Sequence, residues 1–142
     1  MFSAQTTASP QYAILFADLS GSASLYEKLG DRRAYAAVES VLTELRKSVA
    51  LQHGHVVKTV GDEVMAVFPS ADAALQAACD MQKRVAAIAP VGGVPLAMRA
   101  GFHFGPALEG GGDFFGDAVN TAARMNGLAK GGQIITSGAT IQ

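Results

Sequence analysis

Short and long apolar patterns alternate along the 142-residue chain. Brief runs rich in β-branched and aromatic residues predict strands, at 12–19, 55–68, 96–104 and 133–136. The second of these runs is interrupted by Gly61-Asp62, a turn pair that makes it a hairpin. Stretches in which apolar residues recur every three or four positions predict helices, at about 22–29, 31–51, 70–88 and 119–128.

The order of these elements predicts an α+β fold. Strands and helices are mixed, and the hairpin connection is antiparallel, so we expect one mostly antiparallel sheet with helices on one face. The length suits a single domain with one core. Residues 1–10 are polar and are predicted to be a flexible lead-in, which leaves residues 11–142 as the domain.

Some local features refine this expectation. Ser70 is predicted to cap the third helix, and Leu75 is predicted to face inward. Cys79 lies near the same apolar stripe, where it is expected to be a buried small hydrophobe rather than a nucleophile. The glycines at 110–112 are expected to form a flexible link to Asp113.

Composition excludes several classes of protein. Eleven basic and twelve acidic residues give no electrostatic reason to expect nucleic acid or an anionic membrane as a partner. The longest uncharged apolar run, 85–98, is broken by prolines and glycines, so no membrane span is expected. One cysteine excludes an internal disulfide, and the N-terminus has no signal-peptide pattern, so a cytoplasmic location is expected.

Two aspartates are candidate metal ligands. Asp18 ends the first predicted strand, and Asp62 stands at the tip of the hairpin. Carboxylates are hard oxygen ligands suited to Mg²⁺ or Mn²⁺. Aspartates in such places are also common as simple turn residues, and the residues alone leave both interpretations open.

Other polar residues are candidates for binding an anion. Arg99 lies inside an apolar strand and needs either a buried carboxylate or a ligand phosphate as its partner. Asn120 and Arg124 are four residues apart and share one face of a helix among small neighbours. The turn Ser20-Gly21-Ser22 precedes a helix and is either an anion cradle or an ordinary helix start.

Four stretches carry a family resemblance. They read FADLSGSASLYEKLGD (16–31), KTVGDEVMAVF (58–68), MRAGFHFGP (98–106) and GDFFGDAVNTAARM (112–125). In sequence and spacing they resemble the catalytic domain of class III adenylate and guanylate cyclases. The Gly-Gly-Asp-Phe-Phe segment at 111–115 also resembles the signature of diguanylate cyclases, but it lacks that motif's glutamate.

The resemblance implies a metal and phosphate site. Asp18 and Asp62 would hold two Mg²⁺ or Mn²⁺ ions, with the carbonyl of Leu19 assisting. Arg99 would contact the terminal phosphates of the nucleotide. The turn formed by Ser20, Gly21 and Ser22 would cradle the same phosphates.

It also implies residues for base recognition and catalysis. Lys58 and Asp113 match the pair that reads adenine, since guanylate cyclases usually carry Glu and Cys there. Asn120 would position the ribose. Arg124 would stabilise charge at the α-phosphate in the transition state.

The resemblance finally implies the wider context. The expected fold is the ferredoxin-like cyclase fold with its C-terminal strands missing from this chain, and the expected reaction converts ATP to 3′,5′-cyclic AMP and pyrophosphate in cyclic nucleotide signalling. A homodimer would share its sites between chains, and a regulatory domain would accompany the catalytic one. A guanylate cyclase of the same fold and a nucleotide-binding regulatory module with little turnover remain as alternatives.

Overall fold

The computed structural model describes residues 10–141, so the predicted lead-in lies outside the described residues except for Pro10. Its elements in chain order are β1 (Gln11–Ser20), α1 (Ser22–Leu29), α2 (Asp31–Leu51), β2 (His55–Val60), β3 (Glu63–Phe68), α3 (Ala71–Ala86), β4 (Ala97–Pro106), β5 (Leu108–Gly110), β6 (Asp113–Phe115), α4 (Asp117–Leu128) and β7 (Ile134–Thr136). None of the helices in this part of the chain is both long enough and apolar enough to cross a bilayer.

Five strands form the main sheet in the order β2-β3-β1-β4-β7. The pairs β2–β3, β3–β1 and β1–β4 are antiparallel, whereas β4 and β7 are parallel. Strands β5 and β6 form a separate two-stranded hairpin. The prediction of an α+β fold with a mostly antiparallel sheet is confirmed.

Both faces of the sheet are covered, and β1 is buried from Ala13 to Leu19. Leu15 and its alternate neighbours pack under α2 and α3, on a side that we call the packed face. Ile14 and Phe16 point the other way, toward α4 and the β5–β6 hairpin, on a side that we call the α4 face. The expectation of helices on one face is therefore wrong, because a strand buried on both sides needs a layer on each.

Helix α3 follows the predicted stripe with two exceptions. Ser70 caps it by accepting a hydrogen bond from the backbone N–H of Ala73 at 3.1 Å, as predicted. Leu75 and Cys79, however, are exposed, which corrects the inward placement of both. The buried stripe consists mainly of alanines and Met81, and small side chains let the helix approach the sheet on a face that excludes Leu75 and Cys79.

The glycine segment at 110–112 is a structured turn. Gly110 pairs with Asp113 across the β5–β6 hairpin, and Gly111 and Gly112 supply the positive φ angles of the turn, 61° and 80°. The ring of Phe114 packs edge-on against Tyr12 with 4.9 Å between centroids. A flexible link was expected here, but the hairpin instead gives Asp113 a defined place on the α4 face.

Helix α4 lies directly on β4. A Cβ atom added at Gly101 would collide with the backbone of Met125 and Asn126, so only glycine allows this approach. The close contact fixes the distance between α4 and the sheet. It therefore also fixes how far the polar residues of α4 lie from the sheet.

Candidate active site

Three charged residues form a row across the sheet on the α4 face. In the strand register Asp18 on β1 lies opposite Glu63 on β3 and opposite Arg99 on β4. Directly opposed residues in antiparallel strands point to the same face with their Cβ atoms about 5 Å apart. The row therefore crosses β3, β1 and β4 at the end where β1 meets α1.

Arg99 forms a two-pronged ion pair with Asp18. Its Nε donates to Oδ1 at 2.8 Å and its Nη2 donates to Oδ2 at 3.2 Å, and Asp18 is only 8% exposed. This hydrogen bond raises the pKa of Arg99, so the guanidinium stays charged. Of the two partners that the sequence left open for Arg99, the structure shows the buried carboxylate.

Asp62 stands beside this row in the β2–β3 turn. Gly61 precedes it with φ of 60°, a conformation that the missing side chain makes inexpensive. Asp62 is half-buried and lines a cavity of about 290 Å³ together with Ser22 and Tyr26 of α1 and Tyr35 of α2. The cavity brings the start of α1 and the hairpin tip to one place.

Glu63 was not among the residues singled out from the sequence. Burial raises the pKa of its carboxyl, and the negative charges of Asp18 and Asp62 raise it further, while a hydrogen bond from Asn126 and the positive charge of Arg99 lower it. Three carboxylates are thus close enough to influence one another. The signal that could have revealed Glu63 is a charged residue at the first position of a strand that is otherwise buried.

The turn before α1 presents backbone N–H groups. Gly21 is the N-cap residue in the left-handed conformation, with φ of 79°, and no side chain caps the helix. Ser20 ends β1 and Ser22 begins α1, both half-buried. Uncapped N–H groups at a helix start favour an anion, which suits the predicted phosphate cradle.

Lys58 and Asp113 form an ion pair within the chain. Lys58 Nζ lies 2.9 Å from Asp113 Oδ2, and the two side chains are 47% and 31% exposed. This hydrogen bond and a second one from the N–H of Phe114 lower the pKa of Asp113. The pair joins β2 to the β5–β6 hairpin at the open border of the α4 face.

Asn120 and Arg124 are exposed on α4. Arg124 Nη2 donates to Thr121 Oγ1 at 3.3 Å, a local contact along the helix. Among the hydrogen bonds and ion pairs of residues 10–141, none connects Asn120 or Arg124 to Asp18 or Asp62. The contacts of the described residues therefore pair Asp18 with Arg99 and Lys58 with Asp113, and join neither Asn120 nor Arg124 to these pairs.

The donor set suits a hard divalent cation. Asp18 and Asp62 offer carboxylate oxygens, and the carbonyl of Leu19 lies next in the chain. Within residues 10–141 no three His, Cys, Asp or Glu side chains are arranged to hold a metal ion. Any cation here would complete its shell with water or with ligand oxygens, as Mg²⁺ commonly does.

Comparison with protein families gives a match over nearly the whole chain. Residues 4–142 match the family described as the adenylate and guanylate cyclase catalytic domain. The chain belongs to this family. The resemblance to class III cyclases seen in the four sequence stretches is confirmed, and divalent metals and nucleotides are the general ligands of such domains.

Relatives of this cyclase domain come from several bacteria. An uncharacterised protein of Mycobacterium tuberculosis is 36% identical over 136 residues, which cover 93% of this chain and 34% of that protein. Adenylate cyclase 2 of Rhizobium meliloti is 35% identical over 133 residues, covering 82% of this chain and 36% of that enzyme. The chain thus spans about a third of the length of the curated relatives that it matches.

A solved structure confirms the cyclase fold. The monomeric guanylyl cyclase domain of the RhoGC fusion protein from the aquatic fungus Blastocladiella emersonii superposes with a TM-score of 0.85. The alignment covers 93% of this chain and 83% of that one at 22% identity. At this identity the likeness concerns the fold alone.

Proposed function

We propose that this cyclase domain is an adenylate cyclase, which converts ATP to 3′,5′-cyclic AMP and pyrophosphate. The observation that carries the choice of base is the ion pair of Lys58 with Asp113. Lys58 can donate to N1 of adenine, where guanine presents an N–H, and Asp113 can accept from the 6-amino group, where guanine presents an oxygen. A guanine base in the same place would present a donor to Lys58 and an acceptor to Asp113, so neither contact with the base would form.

Asp18 and Asp62 are proposed to hold two Mg²⁺ or Mn²⁺ ions, with help from the carbonyl of Leu19. Two such cations supply charge stabilisation to the attacking 3′-oxygen and to the departing pyrophosphate. In this role Asp18 would give up its contact with Arg99 to bind a cation. The guanidinium of Arg99 on β4 would then offer its donors to the phosphates, together with the turn Ser20-Gly21-Ser22.

Asn120 and Arg124 are proposed to act at a site that a second copy of the chain completes. Both side chains are exposed on α4, where a second chain could reach them, and this supports the arrangement. In a two-fold homodimer, Asp18, Asp62 and Arg99 of one chain would face Lys58, Asp113, Asn120 and Arg124 of the other. Asn120 would orient the ribose, and Arg124 would meet the charge that develops on the α-phosphate.

The guanylate cyclase alternative stays open because the matched family includes adenylate and guanylate cyclases alike. The relative from Rhizobium meliloti, named an adenylate cyclase, is 35% identical to this chain over 133 residues. Together with the Lys58–Asp113 pair, this favours ATP. Two further proposals rest on the family resemblance. Residues 11–142 form the catalytic domain and are joined to a regulatory domain, and the protein is located in the cytoplasm.

Product analysis of the wild-type protein tests the proposal. The protein is incubated with ATP or GTP and Mn²⁺, and the cyclic nucleotide and pyrophosphate are separated and quantified. Cyclic AMP formed faster than cyclic GMP is the expected result. Faster formation of cyclic GMP would establish the guanylate cyclase, and nucleotide binding without any cyclic product would establish the regulatory module.

A further inference from the structure

We propose that Glu63 is a positioning residue of the cation site, where its negative charge strengthens the binding of divalent metal without direct coordination. This inference rests on the proposed function, because it concerns the cations that Asp18 and Asp62 would hold. Glu63 has no counterpart among the residues that the family resemblance assigned to metal, base or phosphate.

The position of Glu63 is set by the sheet. It follows Asp62 in the chain and lies opposite Asp18 in the β1–β3 register, so it adjoins both proposed ligands. Its side chain is half-buried beneath α4, where charges are screened less than on an open surface. A cation held between Asp18 and Asp62 would therefore feel the charge of Glu63 strongly.

The charges around this point do not balance within the chain. Asp18, Asp62 and Glu63 carry three negative charges, whereas the row holds one cation, Arg99, which pairs directly with Asp18 and also attracts Glu63. Among residues 10–141 no ion pair neutralises Glu63. A divalent cation would relieve the repulsion among the three carboxylates, so Glu63 adds to the free energy that binding releases.

A neutral amide is the hydrogen-bond partner of Glu63. Asn126 Nδ2 of α4 donates to Glu63 Oε2 at 3.1 Å, and Asn126 itself is only 2% exposed. The other end of that amide, Oδ1, is buried without a hydrogen-bond partner in the described part of the chain. An amide leaves the charge on Glu63 intact, whereas a lysine or arginine here would have cancelled it. The hydrogen bond therefore satisfies one oxygen of the carboxylate and leaves its charge able to act on a nearby cation.

Direct coordination is a poorer account of the same residue. No set of three metal-binding side chains is formed within residues 10–141, although Asp18, Asp62 and Glu63 are neighbours. Glu63 thus acts through its field on the ions that the two aspartates would bind.

The test separates the charge of Glu63 from its hydrogen bond. Glu63→Gln removes the charge and keeps an oxygen that can accept from Asn126, while Asn126→Ala keeps the charge and removes the donor. Asp72→Asn is the matched control, because it deletes one negative charge in the first turn of α3, beyond the far end of β3 and on the order of 20 Å away. Mn²⁺ binding to each nucleotide-free protein is measured by the electron paramagnetic resonance of free Mn²⁺ at about pH 8, well above the ordinary pKa of a carboxyl.

The expected result is Mn²⁺ binding about tenfold weaker in Glu63→Gln, with Asn126→Ala and Asp72→Asn within about twofold of wild type. Unchanged binding in Glu63→Gln would overturn the proposal, and so would an equal loss in Asn126→Ala, which would assign the effect to the hydrogen bond. If Asp62→Ala loses Mn²⁺ while Glu63→Gln does not, this inference fails and the proposed function stands. If wild-type protein binds no Mn²⁺, both fail together.

Discussion

The two faces of the central sheet differ in what their side chains do. On the packed face, β1, β3 and β4 contribute only apolar residues to the layer under α2 and α3. On the α4 face a smaller apolar cluster is bordered by the charged row of Glu63, Asp18 and Arg99 and by the pair of Lys58 with Asp113. One face holds the fold together, and the other leaves charged groups where a nucleotide and a second chain could reach them. Changes on the two faces should accordingly affect different properties.

The largest effect is expected from Asp62→Ala on the α4 face. Loss of a proposed metal ligand should lower Mn²⁺-dependent turnover by about a hundredfold or more, since charge stabilisation of the transition state would be lost. Because Asp62 lies in a turn outside both apolar clusters, the thermal unfolding curve should stay close to that of wild type. Near-normal turnover in this variant would rule out the two-metal account.

The opposite result is expected from Leu45→Ala on the packed face. Leu45 is fully buried in the layer between α2 and the sheet. The cavity left by truncation should lower the free energy of unfolding by about 2–5 kcal/mol. Denaturant titration measures the loss, and the folded fraction should keep its Mn²⁺ affinity. A folded variant with wild-type stability but weakened Mn²⁺ binding would remove the distinction between the two faces.

The sequence anticipated the packed face better than the α4 face. Apolar residues at helical spacing identified α2 and α3, because that face is a continuous hydrophobic layer. The run from Ala13 to Leu19, buried on both sides, was also a signal that a second layer had to exist, although helices on one face were expected. The position of α4 depends on the contact at Gly101, which no local pattern encodes.

The site was predicted only in part, because contacts between distant residues leave no local pattern in the sequence. Asp18 and Arg99 were each singled out from local context, but their pairing is set by the β1–β4 register, which joins residues 81 positions apart. Glu63 was missed because its importance comes from lying opposite Asp18 and beneath Asn126. Single positions were accessible to sequence reasoning, while the contacts between distant strands and α4 were not.

A change of base preference would sharpen the account of the α4 face. Replacing Lys58 by Glu and Asp113 by Cys together exchanges the donor and acceptor proposed for adenine. The ratio of kcat/KM for ATP to that for GTP should fall, by about 10–100-fold, because the new pair no longer matches adenine. Matched initial rates with both nucleotides measure it. An unchanged ratio would show that Lys58 and Asp113 serve as a structural ion pair.

A smaller effect is expected from pH. Burial, and then the positive charge of Arg124, lower the pKa of His103 on β4 below its ordinary value of 6.5. The unfolded chain therefore takes up this proton first, so the contribution of His103 to stability is complete above about pH 6.5 and is lost as the pH falls toward its folded pKa.

His103→Asn should flatten that part of the stability curve, since asparagine has no proton to gain and can still bond Ser137, which lies 2.6 Å from His103 Nδ1. Denaturant titrations at several pH values between about 5 and 8 provide the comparison. His55→Asn, at the exposed start of β2, is the control for loss of a histidine. A slope equal to that of wild type in His103→Asn would contradict this assignment.

The central claim is that the α4 face of one chain completes the site on another. The most direct measurement mixes two inactive variants, Asp62→Ala and Arg124→Ala, after subunit exchange has been demonstrated independently. Half of the randomly formed dimers would be mixed, and each mixed dimer would hold one doubly damaged and one intact site, so about a quarter of all sites should be intact. The account predicts recovery of about that share of wild-type turnover. No recovery from fully exchanged subunits would contradict it and would mean that each chain carries a complete site of its own.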